Sequence, residues 1–229
     1  GVQIWNCDSL LRVGSDVKSS DPLEPLRPVR MACPRNGVSS AQIVVSSARE
    51  LSGISAALSG LTTDSGAALD AGCVQVRYAT TGESVPKLFD KPPGPAKMLP
   101  MWLTARIPKD TAPGDYRGTL NIAGLGKPAL VPVQVTVYAW TLPDLRDYGM
   151  SVVLLHCPQS VAWHYKAPLW SDRHFRLLEK SMALMGYAGN TLLSISAIGE
   201  DLLGDHPVIV FRKEGDRYIP DLRFARRYL

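Results

Sequence analysis

Cysteine is scarce. The four in 229 residues, Cys7, Cys33, Cys73 and Cys157, lie far apart, and no two form a Cys-x-x-Cys pair. That spacing excludes a zinc knuckle and a thioredoxin-type redox motif, and it leaves any disulfide unassigned. Long apolar runs are missing too: Gly, Pro or Arg interrupts each one within a few positions. A membrane-spanning helix needs ~18–20 apolar residues in succession, so no span is expected. Charge of one sign is also lacking, because 25 basic residues stand against 21 acidic ones for a net +4. Such a balance is too weak to imply a nucleic-acid partner, and the small cluster Arg223, Arg226 and Arg227 reads as the solvated face of a helix. No Gly-rich phosphate loop, nucleophile elbow or Ser/His/Asp ordering is visible. His164, His174 and His206 share no metal-ligand spacing. Neither a metal nor a cofactor is expected.

What is present describes a turn-rich globular protein. Hydrophobic residues make up 45% and charged residues 20%, which is the composition of a chain that buries a core. With 19 Gly and 18 Pro the chain turns often, so long helices must be few. The sequence opens on Gly1 with neither an initiator Met nor an apolar leader, so an upstream stretch is expected.

Two regions differ in period. Over 1–143 the segments 41–46, 74–78 and 101–107 alternate, wholly or in part, between apolar and polar residues, as half-buried strands do. Segments 118–122 and 131–137, joined by Gly124-Leu125-Gly126-Lys127, read as a hairpin, and Pro132 should open its strand or mark an edge. Ahead of it, Ala112-Pro113-Gly114-Asp115-Tyr116 predicts a type II turn. Tyr116 then enters a strand either as a corner tyrosine bonding backbone or as an ordinary core residue. These signals predict an antiparallel β-sandwich.

Beyond Pro143 the pattern changes. Met150–Leu155 is a nearly continuous apolar run, as in a strand buried on both faces of a parallel sheet. Phe175, Leu178, Met182 and Met185 then mark an amphipathic helix from Ser171, its N-cap, to Met185. Segment 190–196 returns as a second buried strand, completing a βαβ unit. A hairpin around Lys213–Asp216 follows, and Leu222, Ala225 and Leu229 begin another helix. The span 144–229 is far short of the ~250 residues of a (β/α)8 barrel. It is expected to be the first units of an incomplete one.

The run from Arg35-Asn36-Gly37 to Val45, the run from Trp102 through Pro113-Gly114-Asp115-Tyr116-Arg117-Gly118-Thr119-Leu120, and Trp140-Thr141-Leu142-Pro143 together resemble the N-terminal β-sandwich of proteins similar to glycoside hydrolase family 123. The segment from Trp170 through Asn190 looks like the first βα unit of the barrel behind it. The resemblance implies a retaining β-N-acetylhexosaminidase in which the substrate's own 2-acetamido oxygen attacks the anomeric carbon. An Asp there orients that group, and an adjacent Glu serves as acid and then base. It also implies a carbohydrate substrate and a secreted or periplasmic location.

Here the adjacent carboxylates are Glu200-Asp201, in the reverse order and after the second predicted strand. The catalytic pair is therefore expected beyond Leu229. Glu200 could bind sugar hydroxyls or anchor the hairpin. His156 closes the first predicted barrel strand, at the end where active faces lie, and either reaches a sugar or bonds within the rim. Trp163 and Trp170, in the loop that follows, could stack on a sugar ring or pack the loop. The alternative to an enzyme is a non-catalytic sandwich that binds carbohydrate or serves as a structural module of a surface or secreted protein.

Overall fold

Val131, Val133, Val135 and Val137 are each at most 2% exposed, and the residues between them are half-buried or exposed. One strand therefore turns a valine face into a core and a mixed face outward. In a computed structural model, which describes residues 1–14, 26–83, 86–194, 196–197 and 206–228, that strand belongs to a unit spanning Gly1–Leu142, and a second unit spans Pro143–Leu229.

The first unit comprises β1 (Val2–Cys7), β2 (Val29–Arg35), β3 (Val38–Leu51), β4 (Ser55–Leu58), β5 (Leu61–Thr62), β6 (Ala68–Leu69), β7 (Val74–Ala79), β8 (Leu88–Phe89), β9 (Ala96–Arg106), β10 (Gly114–Ala123) and β11 (Ala129–Thr141). One sheet runs β1-β3-β9-β7-β8, the other β2-β11-β10-β5-β6 with β4 also on β10. Ile43, Val45, Met101 and Leu103 of the first sheet share one core with Met31, Tyr116, Leu120, Val133 and Val135 of the second. The unit is a β-sandwich. The Tyr78 hydroxyl accepts from the Ala56 amide at 2.7 Å, tying β7 to β4 across the sheets.

One pairing departs from the antiparallel expectation. β2 lies parallel to β11, with Val29 opposite Val133 and Cys33 opposite Val137. The turn Pro34–Gly37 then carries the chain into the other sheet. The Gly37 amide bonds the Pro34 carbonyl at 3.1 Å, and Asn36 takes φ 59°, a conformation that Asn tolerates better than most residues. The Asn36 amide group donates to the Leu142 carbonyl at 3.0 Å. The Arg35-Asn36-Gly37 and Trp-Thr-Leu-Pro segments thus meet at one end of the sheet.

Pro132 neither opens its strand nor sits on an edge strand, since β11 starts at Ala129 and lies between β2 and β10. Its edge is local. The β2 ladder begins at Val133, one residue later, and Pro100 of β9 stands just past the end of the β7 ladder at Met101. In each case the residue that cannot donate is placed where one neighbouring strand is missing. Gly114 has φ 148°, more extended than the ~80° of a type II turn. Tyr116 is 1% exposed and its hydroxyl donates to the Ala112 carbonyl at 2.7 Å, which is the corner arrangement.

The second unit contains a 3-10 turn at Leu145–Asp147, α1 (Pro158–His164), α2 (Asp172–Tyr187), a hairpin of β12 (Val210–Glu214) and β13 (Arg217–Asp221), and α3 (Arg223–Tyr228). Its core is small: Phe175, Leu178, Val208 and Tyr228, with Trp170, Met182 and Phe224 packed against them. The two strands expected at 150–155 and 190–196 do not form among the described residues. The segments do run side by side. The Thr191 amide donates to the Val152 carbonyl at 2.9 Å, the Val152 amide to Thr191 Oγ1 at 3.0 Å and the Leu154 amide to Asn190 Oδ1 at 2.6 Å. Side chains thus replace part of a ladder. A parallel strand is stabilised by neighbours on both edges and cover on both faces, whereas Met150 and Leu155 are 66% and 68% exposed here.

Candidate functional site

Ser171 caps α2, its hydroxyl accepting from the His174 amide at 3.3 Å. This places the His174 ring, which is fully buried, at the base of the loop joining α1 to α2. Nδ1 accepts from the Trp170 amide at 3.0 Å and Nε2–H donates to the Pro158 carbonyl at 2.8 Å. Because a backbone N–H faces one nitrogen and a carbonyl the other, the tautomer is set as a neutral Nε2–H imidazole.

That bond holds Trp170 at φ 59°, a backbone conformation uncommon for a bulky residue. The Trp170 ring stacks on Phe224 at 5.9 Å and 23° and meets Tyr228 edge-on at 6.2 Å. It also lies 6.0 Å from the ring of Phe175. Trp170 is therefore packed, partly buried, against the unit's aromatic core. Trp163 stands on α1 and is 64% exposed, with its ring open to solvent. Glu200 lies outside the described residues.

His156 is buried. Its Nε2 bonds Ser181 Oγ at 2.8 Å, and Nδ1 faces the Tyr228 hydroxyl at 3.4 Å. One imidazole thus connects the end of the first apolar segment to α2 and α3. Burial holds its pKa below the ordinary imidazole value. The Tyr228 hydroxyl is pushed up to about 12 by burial and by Cys157, so it stays protonated. The consequence for stability is signed. A depressed folded-state pKa means that the unfolded chain binds the extra proton first, so stability is complete above about pH 6.5 and falls as pH drops below it. Melting followed between pH 8 and pH 5 should show this loss in α2 and α3, and His156→Gln should flatten it.

The structure therefore brings His156 and Trp170 together through Tyr228 and leaves Trp163 apart. Three partners were not singled out from sequence as site residues: Ser181, Tyr228 and His174 in its buried role. Their apolar neighbours on helical spacing carried a signal for burial, not for polar pairing. A cleft of about 470 Å3 in the same unit is bounded by Arg146, Tyr187, Asn190 and Thr191, and none of His156, Trp163 or Trp170 lines it. Among the described residues no cluster of His, Cys, Asp or Glu could hold a metal ion. No helix there is long and apolar enough to cross a membrane.

No family model and no curated protein matches the sequence. Among solved structures, a family 123 glycoside hydrolase from Clostridium perfringens superposes with a TM-score of 0.79 at 15% identity, over 99% of this chain and 44% of that one. The fold is glycoside hydrolase family 123-like. The chain spans less than half the length of that hydrolase, and its sandwich together with its second unit falls within the matched part. MyfA, the major subunit of Myf fimbriae from Yersinia enterocolitica, matches 60% of the chain with a TM-score of 0.32 at 10% identity, covering 98% of its own chain. The N-terminal domain of PorA matches 59% with a TM-score of 0.25 at 13% identity, covering 97% of its own chain. Scores this low do not establish a shared fold with either.

Proposed function

We propose that this chain is the N-terminal part of a glycoside hydrolase, a β-sandwich over 1–143 followed by the opening units of a catalytic (β/α) barrel over 144–229. The observation that carries the reading is the match of 99% of the chain, both units together, to a family 123 glycoside hydrolase. The exposed apolar segments 150–155 and 190–193 support it. They have the composition of strands covered on both faces, and further βα units would supply the neighbouring strands and the covering helices.

In this reading the reaction is retaining hydrolysis of a β-N-acetylhexosaminide, with the substrate's acetamido oxygen as nucleophile. The acid and the orienting carboxylate come from barrel strands outside this chain. Both must be held at one anomeric carbon, and a closed barrel does this by presenting several strand ends to one cleft. Within the chain, His156, Ser181 and Tyr228 brace the first strand end, and Trp163 offers an open ring on α1. The substrate is a glycan, and the protein works outside the cytoplasm, secreted or periplasmic.

The test compares residues 1–229 with the complete gene product on chromogenic N-acetyl-β-galactosaminide and N-acetyl-β-glucosaminide. Turnover is expected from the complete product and none from 1–229. Turnover by 1–229 would bring the chemistry back to Glu200 and Asp201. No turnover by either, with glycan binding retained, would leave a carbohydrate-binding module.

A further inference from the structure

The β12–β13 hairpin has two unlike faces. In its register Phe211 lies opposite Pro220 and Lys213 opposite Tyr218, so these four share one face. The other face carries Val210, Arg212, Glu214, Arg217, Ile219 and Asp221. That second face balances its charges internally. Arg212 bonds the Asp221 carboxylate at 2.7 Å, Arg223 bonds the same carboxylate at 2.7 Å, and Glu214 stands opposite Arg217. On the first face Lys213 is the single charge, and no carboxylate among the described residues pairs with it. Tyr218 is 67% exposed and Phe211 43%.

The hairpin is also fixed at its base. The Val208 amide bonds the Ser196 carbonyl and the Ile209 amide the Ala197 carbonyl, each at 3.2 Å. At its far strand the doubly bonded Asp221 joins it to α3. The arm thus leaves from the end of segment 190–197. If the barrel reading holds, that is the strand end at which substrate clefts are built.

We propose that the Phe211–Lys213–Tyr218–Pro220 face contacts glycan, with a sugar ring stacked on Tyr218 and an acidic substituent of the sugar paired with Lys213. The inference rests on the glycoside hydrolase reading and names the substrate class it would take, a sugar bearing a carboxylate. Two aromatics and a proline beside one unpaired ammonium suit a small ring with an apolar face and a negative group. The patch comprises four side chains, against the roughly 20–30 residues a side of a stable protein interface, and lysine is depleted from the centres of such interfaces. Preorganisation by the Asp221 clamp lowers the entropy cost of binding.

The test titrates the 229-residue chain with an N-acetylated trisaccharide ending in a carboxylate-bearing sugar, and with its neutral counterpart, by calorimetry. The acidic sugar is expected to bind more tightly. Tyr218→Ala should weaken both about tenfold, and Tyr218→Phe should not. Lys213→Gln should weaken the acidic sugar alone, and the difference should vanish at high ionic strength. Unchanged melting would show that the variants fold. Variants that bind like the wild type overturn the role of the arm and leave the hydrolase reading standing. A wild type that binds neither sugar overturns the proposal, and the hydrolase reading then stands or falls by turnover of the complete gene product. A concentration-dependent dimer that Tyr218→Ala abolishes would assign the face to a second copy and overturn the proposal.

Discussion

Gly124→Ala is expected to destabilise the sandwich by about 2–5 kcal/mol, combining the cost of a non-glycine residue at positive φ with that of displaced backbone. Gly124 sits in the bend between β10 and β11 with φ 87°. A Cβ at that position falls on the Gly53 carbonyl oxygen and lies 3.0 Å from the Ile54 Cα, so backbone rather than a flexible side chain would have to move. Moving it disturbs the core directly. Ile54 is 3% exposed, and the next residue, Ser55, opens β4 opposite Ala123. Gly126 supplies the control, being in the same bend at φ 81° with nothing within 4 Å of where a methyl group would sit. Gly126→Ala should cost about 1 kcal/mol, the conformational part alone. Urea midpoints at constant m measure both. Equal losses would show that the close approach to Gly53 contributes nothing.

His174→Ala should cost the second unit about 3–5 kcal/mol while leaving the sandwich intact. The substitution strands the Trp170 amide and the Pro158 carbonyl, both bonded to the imidazole, and it opens a void where a fully buried ring stood. An unpaired buried polar group costs about 1–3 kcal/mol, and the void adds to that. The second core has few other contacts to absorb such a loss, because it contains four buried hydrophobic residues and shares none with the sandwich core. Hydrogen exchange locates the effect. Amides of α2 should lose protection while those of β9–β11 keep theirs. Equal loss in both units would show that they unfold as one.

How much was legible in sequence differs between the two units for a reason visible in particular residues. The valines of β11 alternate because one side of that strand faces a core formed by the other sheet, whereas β3 over 42–47 and β9 over most of 99–105 are buried on both faces. Period alone exposes the one-sided arrangement. The helix α2 was read for the same reason, since Phe175 and Leu178 are buried and Met182 packs against them. The run Met150–Leu155 carried no such period. Its apolar composition describes a strand with neighbours and cover on both sides, and in this chain it gains one side-by-side segment and remains exposed. Composition reports the environment a segment suits, not whether that environment is supplied.

The candidate site shows the same division. Sequence alone determined that His156 ends an apolar run, that Ser171 caps a helix and that Tyr116 can turn a sheet corner, because each follows from local spacing and side-chain chemistry. Only tertiary structure decided that His156 is enclosed by Ser181 and Tyr228, that Trp170 stacks on Phe224, and that β2 runs parallel to β11. Those pairings join residues from 25 to more than 100 positions apart. They depend on which faces meet when two sheets or two helices pack, and no local period encodes the identity of the opposite face.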